Sequence, residues 1–418
     1  MKILLTSSSF HGGGITSYAL EIINNYSTEH EVILMIGETN GFLDEKKISN
    51  LIHANMDDLS DENAKRVIKL INDLNPDVLI VSLARVVGLV IPYLNDSIRV
   101  ISISHSLRYD EADIAAFQAP YIDKIVALSY YNKTYLQKKF KIQDYSKIHV
   151  VYNFIMPPTD RISITQKENC THEPMIVFAG GGAPSKNPEL IYSVLLMLLK
   201  TSAKFRFYWL GNTNPPLKKL QTLRKIEQLV PNDSRVVFTG RIQRNEATSI
   251  LRQANIILIP SKREGCPIAL LEAMSAGVIA LTSDYKNGCR EIIESAHCGK
   301  IIPHRKKNEY LTTILNIVNN PSNYNHCYKA SKKYFEEELS FATWKVKMNE
   351  LIHDANSSHI SRKHFSSTEY KKIRSRWKFY SHLNAIHMLF FETLPSALYF
   401  FCRNLYCRHH KHEPNTNS

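Results

Sequence analysis

Two glutamates eight residues apart, Glu264 and Glu272, lie in the segment PSKREGCPIALLEAMSAG, residues 260–277. Pro267 suits a first helical position, where its missing N–H costs nothing. Gly277 suits the residue just past a helix end, where a positive φ is wanted. The spacing predicts a helix from about Pro267 to Ala276, with Glu264 on the loop before it and Glu272 inside it. A pair placed so can grip two separated parts of one ligand. The helix N-terminus between them, carrying about half a positive charge, would face a diphosphate. The bland alternative for Glu272 is a solvated helix face, next to the small residues Ala269, Ala273 and Ala276.

Glycine points the same way. The chain has only 15 glycines in 418 residues, and six of them form two triplets, Gly12–Gly14 and Gly180–Gly182. That is about half the usual ~7%, so the clustering is informative. Each triplet follows the first apolar run of a βα series and precedes a helical stretch. A parallel sheet places its ligand crevice there, and a glycine turn lets backbone N–H groups approach an anion. The alternative is a tight turn that needs φ > 0. Neither triplet is G-x-G-x-x-G, so the dinucleotide fingerprint is missing. Lys186, six residues after Gly180 in GGGAPSKNPELI, is placed to reach a phosphate held by such a loop. A solvated lysine is the alternative. The loop is not a Walker A motif, because Asn187 follows the lysine.

The elements that must position these groups read as two βα series. The first half has apolar runs at 2–6, 31–36, 77–81, 98–103, 124–128 and 149–152. The second has them at 175–179, 205–210, 235–239, 255–259 and 278–282. They are continuous rather than alternating, as strands buried on both faces are. Segments such as Thr16–Asn25 and Asn63–Leu74 have room for crossover helices. The expected architecture is α/β, with two doubly wound Rossmann-like domains facing a cleft and a C-terminal helical extension. The predicted divisions are a domain at 1–156, a polar proline-flanked linker at 157–174, a domain at 175–340, a closing helix at 341–356 and a tail at 357–418.

Composition excludes several classes. Apolar residues at 44% and charged residues at 22% are globular values. The net charge is +13, but 356–418 holds ten Lys/Arg against three Asp/Glu, so +7 is local to the tail and +6 covers the rest. A uniformly basic nucleic-acid binder is excluded on that distribution. Seven cysteines without CxxC or zinc-finger spacing fit a reducing compartment. The N-terminal apolar run is too short for a signal peptide, and no 18-residue uncharged apolar stretch exists. A cytoplasmic location is expected.

The run from Glu264 through Gly265, Cys266, Pro267 and Ile268 to Glu272 resembles the E-x7-E signature of retaining glycosyltransferases of family 4, which have the GT-B fold. FAGGGAPSKNPELI resembles that family's phosphate loop. LGNTNPPLKKL, VVFTGRI and Glu291 of CREIIE follow its pattern, as do the first glycine turn, His105–Ser106, VALSYYNK and VVYNFI in the first half. The resemblance covers about residues 1–350 and is more specific in the second half. It implies that Glu264, Lys186 and His105 serve the reaction. Glu264 would meet hydroxyls of the donor sugar, Lys186 the diphosphate, and His105 the sugar from across the cleft. Glu272 would hydrogen-bond the ribose. The backbone at Arg241 and Ile242 would meet the base, and Gly13 and Gly14 would lie near the diphosphate or acceptor. Gly180, Gly181, Gly182, Gly265, Cys266, Pro267 and Ile268 complete the donor-binding set, with Cys266 and Ile268 bearing on donor choice.

The chain departs from the family at Gly181, where members usually carry arginine. An arginine clamps departing phosphate oxygens bidentately. Arg241, Lys262, Arg263 or the backbone amides of the glycine run are the candidates to replace it.

The implied reaction moves a hexose-type sugar from a nucleotide diphosphate sugar, UDP favoured over GDP, to a hydroxyl of a glycan or lipid-linked saccharide with retention. No cofactor is expected beyond that co-substrate. No D-x-D motif occurs, so no metal dependence is expected. The alternative reading is a non-catalytic GT-B subunit that binds sugar nucleotides or partners. A GT-B epimerase or phosphorylase would share the cleft without this glutamate pair. The tail lies outside the resemblance. It is basic and holds eleven of the 41 aromatic residues. Phe379, Leu383, Ile386 and Phe390 recur at helical spacing, and Trp377, Tyr380, Tyr399 and Tyr406 suit a membrane interface. Peripheral attachment to an anionic membrane is one expectation for 357–418, and packing on the first domain is the other.

Overall fold

The computed structural model describes residues 1–10, 14–39, 48–105, 107, 109–156, 173–211, 233–355 and 360–391. Two parallel sheets carry the fold. The first contains β1 (Lys2–Phe10), β2 (Glu31–Thr39), β3 (Leu51–His53), β4 (Val78–Ser82), β5 (Arg99–Ser104), β6 (Lys124–Ala127) and β7 (Ile148–Val150), in the order β3-β2-β1-β4-β5-β6-β7. The second contains β8 (Met175–Ala179), β9 (Arg206–Leu210), β10 (Val236–Gly240), β11 (Ile256–Ile259), β12 (Ile279–Ser283) and β13 (Gly299–Ile302), in the order β10-β9-β8-β11-β12-β13. This is the GT-B α/β architecture, and each apolar run read as a strand lies in one of the sheets.

The periodicity worked because the central strands are covered on both faces. Every residue of β4, β11 and β12 is buried. The two strands without a sequence signal, β3 and β13, each lie at one edge of their sheet, with β7 and β10 at the other edges. An edge strand pairs on one side only and can be short; LIH and GKII each hold only two adjacent apolar residues.

The crossover helices follow ordinary capping rules. Asp61–Leu74 begins at Ser60, whose Oγ accepts the Asn63 N–H at 3.2 Å, with Asp61 and Glu62 in the first turn. It ends at Asn75 in the left-handed region (φ 42°). Helix Phe341–Ala355 returns to the first sheet. Trp344 meets the rings of Tyr18 (5.7 Å), Tyr26 (5.6 Å) and Phe154 (4.4 Å), and Tyr26 Oη donates to Asn349 Oδ1 at 2.7 Å. One apolar core then runs through both halves. Cys266, Cys289, Cys298 and Cys327 are unbridged and buried.

Residues Met1–His364 form one compact unit. Its last residues are anchored by Arg362, which lies 3.5 Å from Asp123, both side chains 1% exposed, and donates to the Asn95 carbonyl at 2.8 Å. Phe365–Ser418 is a second unit with a helix at Ser367–Phe391. Trp377, read above as an interface residue, is buried, whereas Phe379 is exposed. Burial of so large an apolar side chain removes it from any lipid surface. The side chains of Tyr380, Leu383, Ile386 and Phe390, and residues 392–418, lie outside the described residues, as do 157–172 of the linker. Among the described residues no helix is long and apolar enough to cross a membrane.

Candidate functional site

In a parallel sheet the ligand crevice lies beyond the C-terminal ends of the strands. Here the C-terminal edges of the two sheets face each other. His105 follows β5, Ser129 follows β6 and Gly14 opens the helix after β1. The segments they meet follow β11 and β12. A Cβ on Gly14 would lie 3.2 Å from Ile268 Cγ1, and one on Gly265 would lie 2.5 Å from the His105 carbonyl oxygen. The first residues of helices Gly14–Tyr26 and Ile268–Ser275 therefore lie side by side, and each helix N-terminus is a positive end suited to an anion.

The predicted helix after Glu264 is present as Ile268–Ser275, and Pro267 is its N-cap rather than its first residue. Gly277 (φ 68°) ends it as expected. Its N–H reaches the Met274 carbonyl at 2.9 Å, and the Val278 N–H reaches Ala273 at 3.2 Å. Those are the two bonds of a Schellman motif. The loop before the helix is pinned on several sides. Lys262 N–H bonds the Ser185 carbonyl (2.8 Å), Asn287 Nδ2 bonds that of Ser261 (2.7 Å), and Gly288 N–H bonds that of Glu264 (2.9 Å).

Lys186 closes a short 3-10 turn, Pro184–Lys186, ahead of helix Pro188–Leu199. Its ammonium pairs directly with Glu264 Oε1, so two of the three reaction candidates are in contact. Glu264 is buried and Lys186 is partly exposed. An ammonium has three donors, so holding Glu264 and meeting a phosphate are compatible.

Glu272 is buried, 7% exposed, which removes the solvated-face alternative. Thr248 Oγ1 donates to its Oε1 at 2.9 Å. Arg244 Nε lies 3.8 Å from the same oxygen, and Arg244 Nη2 lies 3.6 Å from Glu21 Oε1 on helix Gly14–Tyr26. Burial pushes the Glu272 carboxyl upward, while the Thr248 hydrogen bond and then the Arg244 charge pull it down. Burial likewise raises Glu21, against the pull of Arg244.

His105, 7% exposed, shares a 2.7 Å hydrogen bond between Nε2 and Ser82 Oγ and meets the Tyr18 ring edge at 5.1 Å. Burial lowers its pKa to about 4. The imidazole is neutral above that pH, so it is a hydrogen-bonding and shape-defining group rather than a cation.

The glycine triplet differs from expectation in one respect. Gly181 (φ 52°) does not offer its amide to a ligand, because that N–H bonds the Leu210 carbonyl at 2.9 Å. Its carbonyl accepts Trp209 Nε1 at 3.2 Å. The triplet is tied to β9, with Gly181 and Gly182 buried and Gly180 against Phe178 and Lys186. Cys266 packs its side chain in the core, and burial holds its thiol well above the usual range. Its backbone carbonyl takes Asn153 Nδ2 at 2.6 Å. Arg241 is exposed just past Gly240 (φ 60°), and Ile242 packs on the shared core. Gly13 lies outside the described residues. Among those residues no three His, Cys, Asp or Glu side chains are grouped to hold a metal ion.

Thr248, Arg244, Glu21, Ser82 and Asn153 were not singled out from sequence. They carry no motif, and distance along the chain hides their contacts. Tyr130 and Tyr131 belong to VALSYYNK, yet nothing in that string announces that they meet Glu291.

Comparison with known proteins agrees with this geometry. A family model described as "Glycosyltransferase Family 4" matches residues 12–157, and one described as "Glycosyl transferases group 1" matches 160–334. An uncharacterized glycosyltransferase of Haemophilus influenzae is 23% identical over 48% of this chain and 53% of its own, so the match spans about half of that relative. A Campylobacter jejuni GalNAc-alpha-(1->4)-GalNAc-alpha-(1->3)-diNAcBac-PP-undecaprenol alpha-1,4-N-acetyl-D-galactosaminyltransferase is 23% identical over 72% of this chain and 84% of its own. The fold is shared with Anabaena HepE, solved with UDP-glucose (TM-score 0.69, 14% identity, 84% and 99% covered). It is also shared with the lipopolysaccharide outer core galactosyltransferase WaaB (TM-score 0.62, 16% identity, 84% and 99% covered).

Proposed function

The chain belongs to the GT-B glycosyltransferases of the family 4 type, and on that premise we propose that it moves a hexose-type sugar from a nucleotide diphosphate sugar to a hydroxyl of a glycan or lipid-linked saccharide. UDP is favoured over GDP, the anomeric configuration is retained, and no metal takes part. The observation that carries this reading is the direct contact of Lys186 with Glu264 beside the N-terminus of helix Ile268–Ser275, with Glu272 buried in the same helix.

The chemistry follows from the charges. As the glycosidic bond stretches, the sugar becomes oxocarbenium-like and negative charge grows on the departing phosphate. Preorganised donors aimed at that oxygen lower the barrier most. Lys186 and the two adjacent helix N-termini would supply them. Glu264 holds the lysine and accepts donor hydroxyls. Thr248 and Arg244 both address Oε1 of Glu272, so Oε2 would take the ribose diol. The leaving phosphate accepts the acceptor proton during front-face attack, and no enzymatic nucleophile is required. The C. jejuni relative, named for a lipid-linked saccharide, supports that acceptor class and a role in polysaccharide assembly.

Calorimetric titration with UDP, GDP, ADP and CMP, without metal, tests the reading. One diphosphate should bind selectively, and Glu272→Ala should weaken it by about tenfold or more, the cost of losing hydrogen bonds to a charged group. Binding of none, or equal binding by the variant, would remove the nucleotide from this pocket and favour the accessory-subunit alternative.

Attachment to the cytoplasmic face of an anionic membrane through the basic tail completes the proposal. Arg362 is part of the compact unit 1–364, so the informative truncation removes 365–418 only. Intact protein should float with acidic vesicles and the truncated chain should not. Equal flotation of both, or flotation of neither, would discard the attachment.

A further inference from the structure

We infer that Glu291 is a positioning residue for transfer, clamping the two sheets' layers in the register that seats His105 opposite Glu264. The inference rests on the glycosyltransferase reading above. Glu291 sits on helix Gly288–Ala296 of the second half, and its partners all belong to the first half. Oε1 accepts the Tyr130 N–H at 3.0 Å and the Tyr152 hydroxyl at 2.7 Å, and Oε2 accepts the Tyr131 N–H at 3.2 Å. Tyr130 and Tyr131 open helix Tyr130–Phe140, where N–H groups lack intrahelical partners and the dipole end is positive. That helix has its own cap, Ser129 Oγ on the Asn132 N–H at 3.1 Å. The carboxylate from across the junction is thus a second, charge-assisted cap.

Both ends of this clamp lead to reaction candidates. In the first half, Asn132 Nδ2 donates to Ser104 Oγ at 3.0 Å, and Ser104 immediately precedes His105. In the second half, Asn287 caps the helix that carries Glu291 through the Arg290 N–H (3.1 Å) and holds the Ser261 carbonyl (2.7 Å). Gly288 N–H holds the Glu264 carbonyl (2.9 Å). These hydrogen bonds, joined by the first turns of helices Tyr130–Phe140 and Gly288–Ala296, connect Ser104 to Glu264, and Glu291 is a cross-junction member. Tyr152 keeps its proton as a donor, since burial and the adjacent Glu291 push its ionisation far up. Lys186 and Glu272 both lie in the second half and do not touch Glu291, so nucleotide affinity and transfer should separate.

The test uses the full chain with Glu291→Gln and Tyr152→Phe. UDP affinity is measured by calorimetry, UDP release from saturating UDP-glucose with water as acceptor gives turnover, and small-angle scattering gives the radius of gyration. Glu291→Gln should lower turnover by about 100-fold, the scale of a displaced reacting geometry. Its UDP affinity should stay within about twofold of wild type, because no nucleotide contact changes. The radius should rise. Tyr152→Phe, which removes one hydroxyl and leaves the ring, should fall between the two, and it decides alone if Glu291→Gln does not fold. Unchanged turnover, or affinity falling in parallel with turnover, overturns the inference. If wild type does not bind UDP, the UDP preference fails separately; if it binds UDP but does not release it from UDP-glucose, glucose is not its donor sugar. Scattering then decides the clamp, and variants as compact as wild type overturn it.

Discussion

Lys186→Gln is expected to cut donor turnover by about 10²–10³-fold, the loss seen when one preorganised donor to a developing oxyanion is removed. The effect is large because the chain has glycine at 181, where the family usually carries a second cation. The lysine is also fixed in place. Its turn is tied to the opposite loop by the Lys262 N–H to Ser185 bond, and its ammonium is held by Glu264. Nucleotide affinity should fall less than turnover, because charge on the phosphate grows towards the transition state. Lys186→Arg keeps the charge but changes the donor geometry and should recover only part of the rate. Glu264, buried, is left without its cation in the glutamine variant. Some stability is therefore lost as well, and turnover must be compared per folded molecule. A Lys186→Gln enzyme within about twofold of wild type would deny the lysine its role in charge compensation.

Gly288→Ala should be at least as damaging, for a steric reason. A Cβ there would lie 1.4 Å from the Gly265 carbonyl oxygen, and one at Gly265 would lie 2.5 Å from that of His105. Three backbone segments from both halves are stacked without room for a methyl group. None of the close atoms is the end of a flexible side chain, so relief requires the 260–267 loop to move away from His105. That shifts Glu264, whose carbonyl bonds the Gly288 N–H. Overpacking of this kind costs about 1–3 kcal/mol or more, and displacement near the reacting groups costs about 100-fold in rate. Thermal unfolding and donor turnover measure the two effects. Gly14→Ala is the control for the melting comparison alone, because its 3.2 Å neighbour is Ile268 Cγ1, a side-chain atom that can yield. A Gly288→Ala protein with unchanged melting and turnover would show that the close junction has no consequence.

The strands could be read because parallel strands covered on both faces must be continuously apolar, and local composition records that. β3 and β13 escaped because LIH and GKII offer only two adjacent apolar residues each, which an edge strand tolerates. The helix after Glu264 was also legible, since Pro267 and Gly277 bracket it and caps act within a few residues. The placement of Glu272 was legible only as far as the helix; its burial depends on Thr248 and Arg244, which approach from another helix.

Local rules also failed where a group had two potential partners. The Gly181 amide looked available to an anion from its loop alone, but β9 ends beside it and Leu210 takes the bond. Trp377 looked suited to a lipid interface from its neighbours, but it is buried.

Residue order by itself determined the two βα series, the glycine turns at their first strands and the glutamate pair astride a helix N-terminus. Each of these rests on interactions a few residues long. Tertiary structure alone decided that Lys186 meets Glu264, that His105 is buried and neutral, and that Glu291 reaches Tyr130, Tyr131 and Tyr152. Those contacts join groups 23 to 161 positions apart. They exist only once the C-terminal edges of the two sheets face each other, at a separation that glycine backbones permit.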